Sequence, residues 1–319
     1  MRKNRIEIED FRSFSDTAKV KTVNFDQATE DFYDDRRRSG TRESTIEYYR
    51  RELTLFRRYI VREKDTIIPV SEINVELLNG FIDYLRNERG NSVGGINAKI
   101  RAVRTFMFYC EEVGYIKHNP ARDWKQIKRK EPEINAFTMQ QITALLKQPD
   151  LRKFTGLRDY TLMLTLLDTG ARISEALGIK VDDVLFNENR IFLRNTKTNL
   201  NRYVPISEQL KSVLKQYLQI HNGMSEFVFV NLSGKPIDKN SFRLIVHGYG
   251  KKAGIKGVRC SPHTFRHTFA KFYILNGGDA FSLMQIMGHT TMEMTKRYIR
   301  LFSTDIIEKH KKYSPLKYL

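Results

Sequence analysis

The sequence predicts a mainly α-helical protein with a small β-sheet, an α+β fold in which a helical domain precedes a mixed one. Three observations support this. Large apolar residues recur at three- and four-residue steps through much of residues 23–118 and again after residue 135. Two short β-type runs, at 190–194 and 202–206, flank the polar turn 195–201 and indicate a hairpin. The length of 319 residues suits two compact domains.

The first domain is predicted to be all-helical and to span residues 23–118. A flexible lead, residues 1–22, precedes it, because this stretch mixes charges with few large apolar residues and shows no period. The spacing of large apolar residues predicts helices over 44–60, 77–85 and 96–109.

Residues 119–134 are predicted to be a basic linker between the domains. Pro120 and Pro132 interrupt the helical pattern, and periodic apolar residues are scarce. The Lys and Arg side chains of such a linker could follow a phosphate backbone.

The second domain is predicted to span residues 135–319. Thr138 and Gln141 fit a capping box at its first helix. A stretch at 160–167, apolar on nearly every side, predicts a core helix. A short strand near 227–230 could join the hairpin, and the sequence that follows is again helical in pattern.

The charge balance favours a polyanionic partner. The formal net charge is +18, from 55 Lys and Arg against 37 Asp and Glu. Residues 135–319 contain 28 basic and 14 acidic residues, whereas residues 1–134 contain 27 and 23. A surplus this large most often reflects binding to nucleic acid, although a basic, solvated surface is the alternative.

Composition also indicates a reduced, cytoplasmic protein. Its two cysteines, Cys110 and Cys260, form no CxxC pair and suggest no disulfide framework. The first residues contain no apolar stretch typical of a secretory signal, and no apolar run approaches the length of a membrane span.

Polar faces of the first-domain helices and the linker supply candidate contacts for DNA. Each single side chain could equally belong to a solvated helix face. The candidates are Arg42, Thr45, Tyr48, Asn97, Lys99, Arg101, Arg104, Lys128, Arg129 and Lys130.

Four short stretches of the second domain hold residues suited to handling a phosphate. Arg172 follows a helix-ending glycine, and Glu175, three residues on, could hold its guanidinium rigid. Lys197, in the hairpin turn, could reach a substrate and deliver a proton. Taken singly, the first pair is typical of a surface ion pair and the lysine of a solvated turn.

The other two stretches lie near the C-terminal end. His263 and Arg266 share a helical face, with His267 one turn from the first histidine. Zinc ligation by the two histidines would need a third ligand and a nearby Glu, which this pattern lacks. His289 follows a glycine at a helix entrance, and Tyr298 comes nine residues later. A lone tyrosine there would be a core residue.

As an ordered set these residues resemble the signature of the tyrosine recombinases, also called the phage-integrase family. The matching residues are Thr169-Gly170-Ala171-Arg172, Lys197, His263-Thr264-Phe265-Arg266-His267, Gly288-His289 and Tyr298. The resemblance covers about residues 23–310. The helical first domain is similar to the family's core-binding domain, including His118-Asn119-Pro120 at its end. Phe265 stands where Leu is commoner, a conservative apolar change.

The resemblance implies a role for each residue. Tyr298 would attack a scissile DNA phosphate and form a 3′-phosphotyrosine, while Arg172, Arg266 and His289 stabilise the phosphoryl oxygens. Lys197 would protonate the leaving 5′-oxygen, and His263 would assist proton removal from the tyrosine. Glu175 and His267 would hold these residues in position without contacting the phosphate themselves. No ATP is expected, because the phosphotyrosine keeps the bond energy, and no metal or other cofactor is expected, because arginines supply the positive charge.

The resemblance also implies partners. The expected substrate is a double-stranded DNA recombination site, held by a homotetramer in the synapse, with a monomer when free and possible accessory DNA-bending proteins. The tail at 301–319 would dock on a neighbouring protomer or pack on its own domain. The protein would be nucleoid-associated when bound to DNA, with no membrane contact.

Two biological roles and two rival functions stay open on the sequence. The N-terminal lead and the basic charge favour integration or excision of a mobile element over Xer-type resolution of chromosome or plasmid dimers. A type IB topoisomerase would use related residues, and a DNA-binding architectural protein would explain the charge but not the ordered set.

Overall fold

The computed structural model describes residues 22–128, 134–194, 201–302, 310, 314 and 316, without the side chains of 294 and 299–302. The chain divides into two units, residues 1–131 and 132–319. The predicted lead up to residue 21, Lys197, Arg129, Lys130 and most of the tail lie outside the described residues. Within the described part, no helix combines the length and apolar character needed to cross a membrane.

The first unit is a bundle of helices, as the sequence predicts. Its helices are α1 (Phe25–Arg38), α2 (Glu43–Lys64), α3 (Val75–Asp83), which runs on into a π-helical turn, and α4 (Val93–Glu112). Helix α1 was not among the three predicted helices, because its charged run masks the apolar residues. Phe25 and Phe32 of α1 pack edge-on against Phe106 of α4 in the core.

Residues beyond the last helix of this unit pack against it. Ala121 and Trp124 are buried in its core. The side-chain amide of Asn97 donates to the carbonyl of Ile127 and accepts from its backbone N–H, both at 2.9 Å. The first part of the predicted linker is therefore fixed to the bundle by apolar burial and by this two-way hydrogen bond.

The second unit combines helices with one small sheet. Its helices are α5 (Met139–Leu146), α6 (Phe154–Thr169), α7 (Ile173–Leu177), α8 (Glu208–His221), α9 (Lys239–Lys252), α10 (Pro262–Leu275), α11 (Ala280–Met287) and α12 (Met292–Phe302). The predicted capping box forms at α5, where Thr138 accepts from the backbone of Gln141 and the glutamine side chain accepts from Thr138 N–H.

The sheet contains the predicted hairpin and a different third strand. Its order is β1 (Val184–Leu185), β2 (Arg190–Leu193) and β3 (Arg202–Pro205), all antiparallel. The strand proposed near 227–230 is wrong. Phe227 and Val230 form only isolated bridges, with Lys180 and Pro236. The fully buried run from Val228 to Val230 instead fills the core beside the sheet.

The core of this unit brings the ends of α6, α10 and α11 together. Helix α6 packs along α10, and Gly170 ends α6 in the left-handed conformation, with φ of 60°. A β-carbon at this glycine would lie 2.3 Å from the ring of Phe269 on α10. The close approach of these two elements therefore requires glycine at 170, directly before the segment that carries Arg172.

Candidate active site

Arg172 lies at the start of α7, where Glu175 holds it through both backbone and side chain. One carboxylate oxygen of Glu175 accepts from the Arg172 backbone N–H at 2.9 Å, and the other accepts from its Nη1 at 2.9 Å. Glu175 is only 4% exposed. Burial raises the pKa of the Glu175 carboxyl, but its bonds with Arg202 and Arg172 outweigh this and lower it overall. The pair is therefore fixed and ionised.

Arg266 projects from the buried side of α10 and is 3% exposed. Its Nη1 donates to the carbonyl of Gly170 and its Nη2 to the carbonyl of Met287, each at 2.7 Å. Burial and the nearby charge of Arg172 lower the pKa of Arg266 to about 10, so it stays protonated at neutral pH. Two backbone carbonyls thus fix a fully charged guanidinium inside the unit.

The C-terminal end of α11 binds three arginines through three consecutive carbonyls. Ile286 accepts from Arg202 Nε at 2.7 Å. The next carbonyl, of Met287, accepts from Arg266, and that of Gly288 accepts from Arg172 Nη2 at 3.3 Å. The last carbonyls of a helix carry partial negative charge and lack partners within the helix. They therefore offset part of the repulsion among the guanidiniums.

His289 follows this helix end directly. Its backbone N–H donates to Met284, and its Nδ1 lies 2.9 Å from the hydroxyl of Thr295, which is fully buried on α12. Burial and the charges of Arg266, Arg172 and Arg202 lower the pKa of His289 to about 4. The imidazole is therefore neutral at pH 7. If the Thr295 hydroxyl donates to Nδ1, then Nε2 carries the proton and can donate to a ligand.

Tyr298 closes the cluster from α12 and is 5% exposed. Its hydroxyl lies 2.8 Å from Nδ1 of His267, and its ring stacks on His289, with centroids 6.1 Å apart. Burial raises the pKa of Tyr298, and the charges of Arg266, Arg297 and Arg172 offset only part of this rise. The hydroxyl is protonated at neutral pH, so its reaction as a nucleophile requires a proton acceptor.

The two histidines of α10 form a pair beside this tyrosine. His263 is exposed and packs edge-on against His267, with ring centroids 4.2 Å apart. Burial, with the charges of His263 and Arg266, lowers the pKa of His267 to about 4. The ring nitrogen in contact with the Tyr298 hydroxyl belongs to His267, whereas the family resemblance implies proton removal by His263 and a supporting role for His267.

The structure thus brings seven of the predicted residues into one cluster and leaves one outside its description. Arg172, Glu175, His263, Arg266, His267, His289 and Tyr298 form the cluster. Lys197 lies in the turn 195–200, outside the described residues, so only the strands on either side of it are placed. Among the described residues, no group of His, Cys, Asp and Glu is arranged to hold a metal ion.

The candidate DNA contacts of the first unit are placed on its surface to different degrees. Arg42, Arg101 and Lys128 are exposed, and Thr45, Tyr48 and Arg104 are half-buried. Tyr48, Arg101 and Arg104 line one groove, where Arg101 bonds Gln126 and the Tyr48 hydroxyl donates to the Ala98 carbonyl. Asn97 is buried against Ile127, and Lys99 pairs with buried Glu52 at 3.1 Å. These last two contacts are structural.

The sequence reasoning missed two residues of the cluster and one surface. Arg202 and Thr295 contact the predicted residues directly, but neither stands in the quoted motifs. Helix α9 carries an exposed basic stripe at four-residue steps, formed by Lys239, Arg243, His247 and Lys251. This spacing is visible in the sequence and could have identified the stripe.

Comparison with known families covers both units. Residues 135–304, more than half of the chain, match the phage integrase family, and residues 24–129 match the phage integrase SAM-like domain. These two matches correspond to the two structural units.

Similar proteins include recombinases of two kinds. The tyrosine recombinase XerC of Thermodesulfovibrio yellowstonii is 29% identical over 286 residues, 87% of this chain and 92% of that protein. The tyrosine recombinase XerD of Staphylococcus aureus is 27% identical, over 86% of this chain and 94% of that protein.

Solved structures show the same fold. The Tn1549 transposon integrase in complex with a circular intermediate DNA superposes with a TM-score of 0.71 at 19% identity, covering 91% of this chain and 98% of that one. A lambda integrase dimer bound to a core site gives 0.73 at 14% identity, covering 85% and 97%. The chain belongs to the phage integrase family, the tyrosine-type recombinases that cut and rejoin DNA at specific sites.

Proposed function

We propose that Tyr298 of this recombinase attacks the scissile phosphate and carries the covalent intermediate. The observation that supports this most directly is the position of Tyr298 itself. Its hydroxyl contacts Nδ1 of His267, and its ring stacks on the ring of His289. Attack would form a bond between the tyrosine oxygen and phosphorus and break the bond from phosphorus to the 5′-oxygen, leaving a 3′-phosphotyrosine.

Arg172, Arg266 and His289 are proposed to stabilise the negative charge of the transition state. Arg172 is one-third exposed at its side chain, so its guanidinium is accessible to a ligand, and its 3.3 Å bond to Gly288 is the longest of the three carbonyl contacts. A phosphate oxygen could replace that carbonyl at little cost. Each well-placed donor of this kind contributes a few kcal/mol to barrier lowering.

Two proton transfers complete the step. The tyrosine proton would pass to the histidine pair on α10, through His267 or, as the family resemblance implies, through His263. Lys197 would protonate the departing 5′-oxygen; its turn lies between β2 and β3 in the chain, and β3 begins at Arg202, which bonds Glu175. The number of phosphodiester-type bonds is unchanged, so rejoining is the reverse reaction and needs no ATP, and the arginines are proposed to supply the positive charge that a metal would otherwise provide.

Binding of DNA to the second unit is proposed to use the stripe on α9. Its four exposed basic side chains lie along one face of a 14-residue helix. The major groove of DNA is wide enough to admit an α-helix. In the first unit, Arg42, Arg101, Arg104 and Lys128 would contact phosphates, together with Arg129 and Lys130 of the linker.

The assembly on DNA is proposed to be a homotetramer that holds two recombination sites, with the free protein a monomer. Several similar structures were solved on DNA, among them a lambda integrase tetramer bound to a Holliday junction. We further propose that it acts in the cytoplasm and is nucleoid-associated when bound to DNA, where DNA-bending proteins could assist.

For the biological role we propose integration or excision of a mobile element. The basic charge and the fold shared with a transposon integrase support this choice. Xer-type resolution of chromosome or plasmid dimers is the second candidate, which the similarity to XerC and XerD favours.

The test is to trap the protein on DNA. Wild-type protein and Tyr298→Phe are incubated with sheared genomic DNA of the source organism, with and without EDTA, and adducts are recovered after denaturation. We expect DNA-linked wild-type protein in both conditions, and no adduct with a variant that still binds DNA. Adducts that survive in Tyr298→Phe would refute the nucleophile. Sequencing the attached ends identifies the site, and neighbouring genes then distinguish the two biological roles.

A further inference from the structure

Arg202, at the start of β3, connects the hairpin to the active-site arginines. Its Nη1 and Nη2 donate to the two carboxylate oxygens of Glu175 at 3.1 and 2.9 Å. The side chain of Arg202 is only 10% exposed. This fork is the strongest geometry available to an arginine–carboxylate pair, and burial protects it from solvent competition.

The sharing of Glu175 limits how Arg172 can bond. One oxygen, Oε2, accepts from Arg202 and from the Arg172 backbone N–H, so it is filled. The other, Oε1, accepts one bond from each guanidinium. Arg172 can therefore reach the carboxylate through Nη1 alone, which leaves Nη2 directed at the Gly288 carbonyl and the cluster.

Arg202 also fixes the segment that carries His289. Its Nε donates to the carbonyl of Ile286 at 2.7 Å. A β-carbon at Gly288 would lie 2.8 Å from Nη1 of Arg202, so the backbone of Gly288 packs directly against the guanidinium. One side chain thus holds β3, Glu175 and the end of α11 in a fixed relation.

We propose that Arg202 is a positioning residue of the recombination reaction. It occupies one side of Glu175 so that Arg172 presents Nη2 to the scissile phosphate, and it aligns β3, which leads out of the Lys197 turn, with the segment before His289. Without it, the freed carboxylate would take both Nη groups of Arg172 and draw them away from the phosphate. This inference rests on the proposed function, because it assumes that Arg172 contacts the phosphate.

The test compares single-turnover cleavage by Arg202→Met, Arg202→Lys, Arg172→Met and the double variant Arg172→Met/Arg202→Met. The probe is a duplex carrying the site recovered by trapping. Cleavage is followed as covalent protein–DNA adduct, and affinity is measured separately on the same duplex with Tyr298→Phe added to each variant. Arg190→Met is the matched control, since Arg190 lies on neighbouring β2 and pairs with Glu188.

We expect Arg202→Met to cleave at least about tenfold more slowly while its affinity changes less than about threefold, because only the geometry of the reacting state is altered. Arg202→Lys should be intermediate, and Arg190→Met should match wild type. The double variant should be no slower than Arg172→Met, since residues that act through one another are not additive.

Three results would overturn the inference. Wild-type cleavage by Arg202→Met would do so, as would losses that multiply in the double variant. If neither Arg202→Met nor Arg202→Lys folds, by circular dichroism and thermal melting, the residue serves stability rather than positioning. Failure of wild-type protein to form any adduct would refute the proposed function instead.

Discussion

The hydroxyl of Tyr298 lies 2.8 Å from Nδ1 of His267. Burial, together with nearby positive charge, keeps this imidazole neutral at pH 7, with a pKa of about 4, and burial keeps the tyrosine protonated. If the neutral ring carries its proton on Nε2, the Tyr298 hydroxyl donates to Nδ1, and this nitrogen can accept the tyrosine proton. Loss of the tyrosine proton leaves negative charge on the tyrosine oxygen and on the phosphate that it attacks. A bound phosphate would therefore favour this loss only if the arginines of the cluster stabilise that charge.

The first prediction concerns which histidine takes the proton. Glutamine at 267 keeps an acceptor near the tyrosine but cannot accept a proton at neutral pH. We expect His267→Gln to slow single-turnover cleavage by about 10²-fold or more, with DNA affinity unchanged. His263→Gln is the matched comparison on the same helix. If only the His263 variant is slow, proton removal belongs to His263, as the sequence resemblance implies.

The second prediction concerns acid stability. His289 has a folded pKa of about 4, below its ordinary value of 6.5, so the unfolded chain binds more protons between these values. The free energy of unfolding should therefore fall as pH decreases from about 6.5 to about 4, by up to roughly 3 kcal/mol from this residue. This pH dependence is measured by unfolding the whole protein in urea and monitoring the second unit through hydrogen exchange of its amides. His289→Gln should reduce the slope while His267, whose pKa is also lowered to about 4, keeps its own contribution, and an unchanged slope would contradict the assignment.

A third prediction follows from the contact between Thr295 and His289. Valine matches threonine in shape but removes the hydroxyl that bonds Nδ1, so the ring loses its fixed orientation and tautomer. We expect Thr295→Val to slow cleavage about tenfold, because small losses of alignment at a reacting group cost this much or more. Thr291→Val, at an exposed threonine of the same segment, should cleave like wild type. Equal rates for both variants would show that the hydroxyl does not orient His289.

The fourth prediction tests the stripe on α9. Each phosphate contact that is lost should reduce the slope of log affinity against log salt by about 0.9. We expect Arg243→Gln and Lys251→Gln each to lower the slope by about that amount, and the double variant by about twice as much. Lys215→Gln, at an exposed lysine of α8, should leave the slope unaltered. Equal slopes in all variants would place the DNA elsewhere.

Much of the active site could be predicted because its residues lie in short motifs with local meaning. The three-residue spacing of His263 and Arg266 puts both on one helix, and the capping box at Thr138 depends on neighbours alone. Arg202 could not be found in this way. Its partners, Glu175 and Ile286, are distant in sequence, so its role depends on how the strand packs against α7 and α11.

Secondary structure shows the same distinction. The hairpin was predicted from two short β-type runs on either side of a polar turn, and its strands form at 190–193 and 202–205. The run at 227–230 has the composition of a strand, but its neighbours leave it no partner for a continuous ladder. Burial of that run is set by the whole core, which local spacing does not encode.

The three carbonyls at the end of α11 have a consequence for attempts to redirect this enzyme. They are backbone atoms, so no substitution at 286 or 287 removes them, and Gly288 leaves no room for even a methyl group beside Arg202. The exposed side chains of α9, by contrast, point to solvent, so exchanging them should leave the core of the unit intact. If α9 contacts DNA as proposed, a library aimed at new target sequences should vary that helix and leave the Gly288 segment untouched, because the two segments differ in how much substitution they tolerate.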